Sequence, residues 1–154
     1  MLFSINHSKV SAAVAVFALA TQLFTLQAMG KMPTVKIGKN KVNLEVAQTD
    51  AEIQRGLMFR TSLGKDSGMV FLFSPRRGVR FWMFHTLIPL DMLFVKDGKI
   101  VKLLEQVPPC KSEDPRKCPT YPDKDVEVDQ VIELNGGYCK NHNVKEGDSV
   151  EFDL

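Results

Sequence analysis

Hydrophobic and polar positions alternate along this chain with two different periods, and the change of period marks its elements. Thr34 to Ile37 and Lys41 to Ala47 read as strands separated by Gly38-Lys39-Asn40, with Val42, Leu44 and Val46 at the spacing of two that a half-buried strand requires. A β-hairpin is the expected product. In TDAEIQRGLMF the period lengthens: Thr49 and Glu52 have capping-box spacing, and Ile53 with Leu57 forms a one-sided stripe. This predicts a short helix of about two turns, ending between Gly56 and Phe59. MVFLF at 69–73 is a compact apolar strand, which SPRRG at 74–78 is expected to break.

The next stretch, RFWMFHTLIPLDMLFV at 80–95, is apolar at even and odd positions alike, the pattern of a strand buried on both faces. Pro89 is expected to interrupt it. Lys96-Asp97-Gly98-Lys99 then predicts a tight turn, so that LDMLFV and IVKLLEQV pair antiparallel. From 107 to 125 the composition turns to proline, charge and two cysteines, predicting a loop or excursion without a packed element. VIELNGG returns to strand and turn, GYCKNHN suggests a turn of helix, and VKEGDSVEF ends in a turn at Gly147-Asp148 and a last strand. The sum is an α+β chain, mainly β: a strongly bent antiparallel sheet or partly closed β-barrel with one short helix packed on it.

Composition narrows the setting. The 154 residues, 44% hydrophobic and 25% charged, suit one globular domain, and a formal charge of +2 without a basic stripe gives nucleic acid no footing. The first 28 residues, polar with Lys9 and then uncharged and apolar, read as a signal peptide cleaved after Ala20 or after Ala28. An uncleaved anchor is the competing reading. Cleavage would leave a domain at 33–154, exported to the periplasm or secreted, with no membrane attachment. In such a compartment Cys110 and Cys118, with seven residues between them in a segment with no other means of order, are expected to form a disulfide. Cys139 is then left over as a buried thiol. Zinc on the three cysteines and His142 is the sharper alternative, weakened by the absence of any C-x-x-C pair.

RGLMFR (55–60), GMVFLF (68–73), FWMFHTLIPLDMLFV (81–95), DGKIV (97–101), VIELNGG (131–137) and VKEGDSVEF (145–153) together resemble the domain of unknown function 192 family. The resemblance covers nearly all of the chain beyond the leader. It implies a small β-rich fold, often exported, with no agreed activity or cofactor. Members of that family usually carry asparagine where this chain has His85. The segment between Cys110 and Cys118 resembles cyanobacterial members, which would add the thylakoid lumen as a destination.

Candidate chemistry centres on Asp91, the only formal charge between Arg80 and Lys96. A carboxylate buried in so apolar a run must be answered by a cation or by main-chain N–H groups. Arg60 is the first candidate partner, with Arg55 and Arg80 behind it. The pair would either lock helix to sheet or line a ligand-binding pocket with Trp82, Phe84, Met58 and Thr86. Three functions follow. The first is a non-enzymatic module binding an unknown small molecule, a peptide or a protein partner. The second is a hydrolase or transferase using His85 or Asp91 as general base with Arg60. The third is a copper(I) site on Met58, Met69, Met83, Met92 and His85. No nucleophile-base pair, phosphate loop or cofactor motif is evident, which favours binding.

Overall fold

In the computed structural model, which describes residues 31–154, the alternating segments form strands β1 (Thr34–Ile37) and β2 (Asn40–Ala47). They pair antiparallel about Gly38-Lys39, and Gly38 takes φ 59°, a left-handed conformation that glycine adopts without a Cβ clash. Helix α1 (Asp50–Arg55) follows. Thr49 accepts from the Glu52 N–H while the Glu52 carboxylate accepts from the Thr49 N–H, so both halves of the predicted capping box are made. The leader predicted over residues 1–28, with its cleavage points at Ala20 and Ala28, lies outside the described residues. Among the described residues no helix is long and apolar enough to cross a membrane.

Two strands run longer than their sequences suggested. The expected break at 74–78 is a register irregularity between Leu72 and Arg77 inside β3 (Ser67–Trp82), which bends and continues. The expected 107–125 loop is likewise shorter. β5 (Lys99–Val107) leads into a segment carrying a 3₁₀ turn at Pro115–Lys117, and β6 (Thr120–Asn135) already begins at Thr120, paired with Trp82. Proline at a strand end or bulge leaves the remaining ladder intact, which is why composition understated both strands. The Cys110–Cys118 disulfide is formed. The 80–95 run divides into the end of β3, a connection through 83–89, and β4 (Leu90–Lys96), so Pro89 does interrupt it. β4 and β5 pair through the Asp97-Gly98 turn as expected.

The seven strands make one strongly curled sheet, a half-barrel, in the order β5-β4-β6-β3-β2-β1-β7, where β7 is Val150–Asp153. Pairing is antiparallel except between β2 and β3, which α1 connects as a parallel crossover. A second short helix, α2 (Tyr138–His142), joins the single one foreseen. Because side chains alternate across a strand, β3, β4 and β6 feed two cores. Val70, Leu93, Val95, Ile132 and Leu134 pack with Tyr138 and Cys139 of α2 on one face. Met69, Phe71, Met92, Phe94 and Val131 pack with Leu57 and Met83 on the other. The central strands are therefore apolar on both sides.

Candidate functional site

Asp91 lies on β4 facing the α2 side, and its side chain is fully enclosed. Three backbone N–H groups answer it: Gln106 and Gly137 donate to Oδ1 at 2.7 and 2.8 Å, and Cys139 donates to Oδ2 at 2.8 Å. The backbone takes a left-handed turn at two of these donors. Gly137 takes φ 87° ahead of α2, which a Cβ would disfavour, and Gln106 takes φ 51° near the end of β5. The partner proposed from sequence is elsewhere, because Arg60 reaches Glu45 at 2.6 Å on the surface. Arg80 pairs with Asp125. Asp91 is thus a structural clasp tying β4, β5 and α2 together, and its assignment as a ligand contact is corrected. The neighbouring Cys139 thiol is free and buried, and burial, then the Asp91 charge, pushes its pKa up.

The opposite face holds a second buried acid that the sequence reading passed over. Glu133 of β6 sits in register between Met69 of β3 and Met92 of β4, is 4% exposed, and faces the α1 side. Its carboxyl has no hydrogen-bond or ion-pair partner among the described residues, and its oxygens keep slight contact with solvent through the cleft, since among the described residues no fully enclosed side-chain oxygen is left unpartnered. Loss of hydration alone raises its pKa to about 8, so the group is mostly protonated at neutral pH. It lines a cleft of about 30 Å³ between α1 and the end of β3, walled by Met58, Trp82, Phe84 and Thr86, with Arg55 also in the lining. The four wall residues foreseen beside a carboxylate do share one cleft, but its acid is Glu133. The signal was available: Glu133 is the lone charge in VIELNGG, the same pattern that singled out Asp91.

An aromatic row borders this cleft. The rings of Trp82 and Phe84 lie 5.5 Å apart, Phe84 and His85 stack at 3.8 Å, and His85 meets Phe59 at 4.7 Å. His85 and Phe59 are both exposed and both left-handed, with φ 54° and 63°, and the Phe59 N–H donates to the His85 carbonyl. Asn and His enter left-handed backbone more readily than most residues. The asparagine that the family resemblance expects at position 85 and the histidine present here therefore suit one backbone role. His85, Asp91 and Arg60 do not converge, since His85 is on the outer surface, Asp91 is sealed on the far face and Arg60 is held by Glu45. The general-base arrangement is corrected accordingly.

The proposed metal ligands are dispersed as well. Met69, Met83 and Met92 belong to the packed core, and of the four candidate methionines Met58 alone lines the cleft. The disulfide consumes two of the three cysteines a zinc site would need. A roomier cavity of about 210 Å³ lies on the other side of Ile53, between Gln48, Asp50 and Arg77. Asp50 and Arg77 are solvent-exposed there, and no buried polar group looks into it, so it offers volume without chemistry.

Fold and site together define a small curled β half-barrel with an aromatic-walled cleft over an unanswered acid. The chain belongs to the DUF192 family, described as "Uncharacterized ACR", whose model matches residues 33–152. Among solved structures it is similar to a candidate transcription regulator from Sinorhizobium meliloti, 32% identical with a TM-score of 0.66, covering 78% of this chain and 91% of that one. It is also similar to a protein of unknown function from Novosphingobium aromaticivorans, 35% identical with a TM-score of 0.65, covering 78% and 83%. No curated protein matches.

Proposed function

We propose that this protein is an exported binding module whose site is the cleft between α1 and the end of β3. One observation carries the reading: Glu133 is more than nine-tenths buried, unpartnered among the described residues, and placed where a cleft reaches it. Burying a polar group without a partner costs free energy, and such positions persist where a ligand supplies the missing partner. Exposed aromatics at the rim give an incoming molecule apolar contact at low entropic cost. The disulfide supports export, because such bonds persist in oxidising compartments. The regulatory description of the S. meliloti relative is not carried over. Arg60, Arg76, Arg80 and Lys96 are each paired with an acid, which leaves these cations no free stripe for phosphates.

The test is native mass spectrometry of protein purified from its exported compartment, comparing wild type with Trp82→Ala, each checked for fold by circular dichroism. A retained small molecule or peptide lost from the variant is the expected result. Equal retention by both, or none in either, overturns the reading.

A further inference from the structure

We propose that the cleft takes a primary ammonium group on a slim alkyl stem, seated on the Glu133 carboxyl with its stem against Trp82 and Phe84. This deepens the binding reading above and rests on it. Three features select the ligand class. The carboxyl has no hydrogen-bond or ion-pair partner among the described residues, so once ionised it needs donors from the ligand, and an ammonium brings three together with the opposite charge. The space, about 30 Å³, is small and suits a compact head group better than a ring. Trp82 and Phe84, inclined at 45° with centroids 5.5 Å apart, line the same cleft as the acid, and their π-systems attract a cation and give a neutral alcohol nothing comparable. An anion would meet the acid.

Charge balance gives the site a pH signature. At neutral pH an ammonium displaces the proton from Glu133 to solvent, so binding tightens as pH rises from 6 towards 8. Arg55, from α1, is the other charged side chain in the lining. β3 and the 83–89 connection contribute none, and His85 is exposed on the far side of Phe84. Arg55 is itself exposed and ion-paired to none of the described acids, so it is free to turn into water as a cation enters. Its removal, Arg55→Ala, should tighten amine binding.

Trp82, the only tryptophan, is a built-in reporter. Its fluorescence is followed while the protein is titrated with n-butylamine, Nα-acetyl-lysine amide, 1-pentanol and valerate. Both amines should shift the emission while pentanol and valerate do not. Glu133→Gln should weaken the amines by roughly tenfold or more, the loss of a charge-assisted bond. Phe84→Leu, which keeps the acid, should weaken them by about three- to thirtyfold. Stronger binding of the lysine amide than of butylamine assigns a peptide side chain as the source, and the reverse order a free amine. If pentanol matches butylamine, or Glu133→Gln keeps full amine affinity, the ammonium assignment falls while the cleft remains a binding site. Silence of Trp82 towards every probe overturns both.

Discussion

Asp91 and Glu133 are two acids in apolar strands one ladder apart, Asp91 opposite Leu134 and Glu133 opposite Met92, and both are sealed to within 4%. Their surroundings differ completely. Asp91 points to the α2 face, where Gly137 and Cys139 at the start of that helix, with Gln106, aim three N–H groups at it. Glu133 points to the α1 face, where methionine and aromatic side chains surround it and no hydrogen bond reaches its carboxyl among the described residues. Burial of an acid is therefore not a mark of function in itself. What separates fold from site is whether the protein has already answered the group.

The sharpest way to break that contrast is Asp91→Ala. It strands the buried N–H groups of Gly137 and Cys139 at about 2 kcal/mol each and releases the part-buried Gln106 N–H at less, roughly 4 to 5 kcal/mol together, a large share of the stability of many domains. Urea unfolding measures it. Asp91→Asn, which keeps one acceptor oxygen and turns an NH₂ towards the Cys139 N–H, should lose about half as much. A loss near zero for Asp91→Ala would mean that the clasp is not an anchor. The next effect belongs to Glu133 and runs with pH. Its folded pKa, about 8, lies above the ordinary 4.5, so the folded state holds the proton longer than the unfolded chain. Stability from this group is fully present below pH 4.5, declines as pH rises, and is gone above about 8, a swing on the order of 5 kcal/mol. Glu133→Gln should flatten that decline. An unchanged slope in the variant would show that Glu133 is solvated or partnered after all.

Much of this was legible in the sequence, and the losses have physical causes. The hairpin at Gly38, the capped helix, the Asp97-Gly98 turn and the disulfide follow from local chemistry, and all are present. The lone acid in 80–95 correctly implied main-chain donors or a cation, but choosing between them needs positions 106, 137 and 139, which only the folded topology brings together. Glu133 was missed because VIELN was read for its strand period, although the rule applied to Asp91 fits it equally. β3 and β6 were cut short because proline composition records where a ladder is disturbed, not where it stops. Strand parity then decides which face each acid takes, and one residue of register would have exchanged them.

Smaller effects sharpen the comparison from its edges. Reducing Cys110–Cys118 releases a loop closed over a sequence separation of 8, worth about 2 to 3 kcal/mol in the chain-entropy picture. The bridge lies beyond Val107, whereas Gln106 is inside β5, so reductant should not speed amide exchange at Gln106 more than at the other protected amides of β5 as global stability falls. A selective increase at Gln106 would make the disulfide part of the Asp91 clasp.

The smallest change tests the other acid. Thr49→Ala removes the side-chain half of the capping box and should cost about 1 kcal/mol. Helix α1, only six residues long, walls the Glu133 cleft with its C-terminal half, contributing Ile53, Gln54 and Arg55 to the lining. Fraying of α1 lets water approach the carboxyl, and hydration is what Glu133 lacks, so its pKa should fall back from about 8 towards the ordinary carboxylate range. Carbon-detected NMR of the Glu133 carboxyl across a pH titration reads the shift directly. If Glu133 titrates identically in wild type and variant, its desolvation is owed to the strands beneath it, and α1 is cover for the cleft without being the element that tunes its acid.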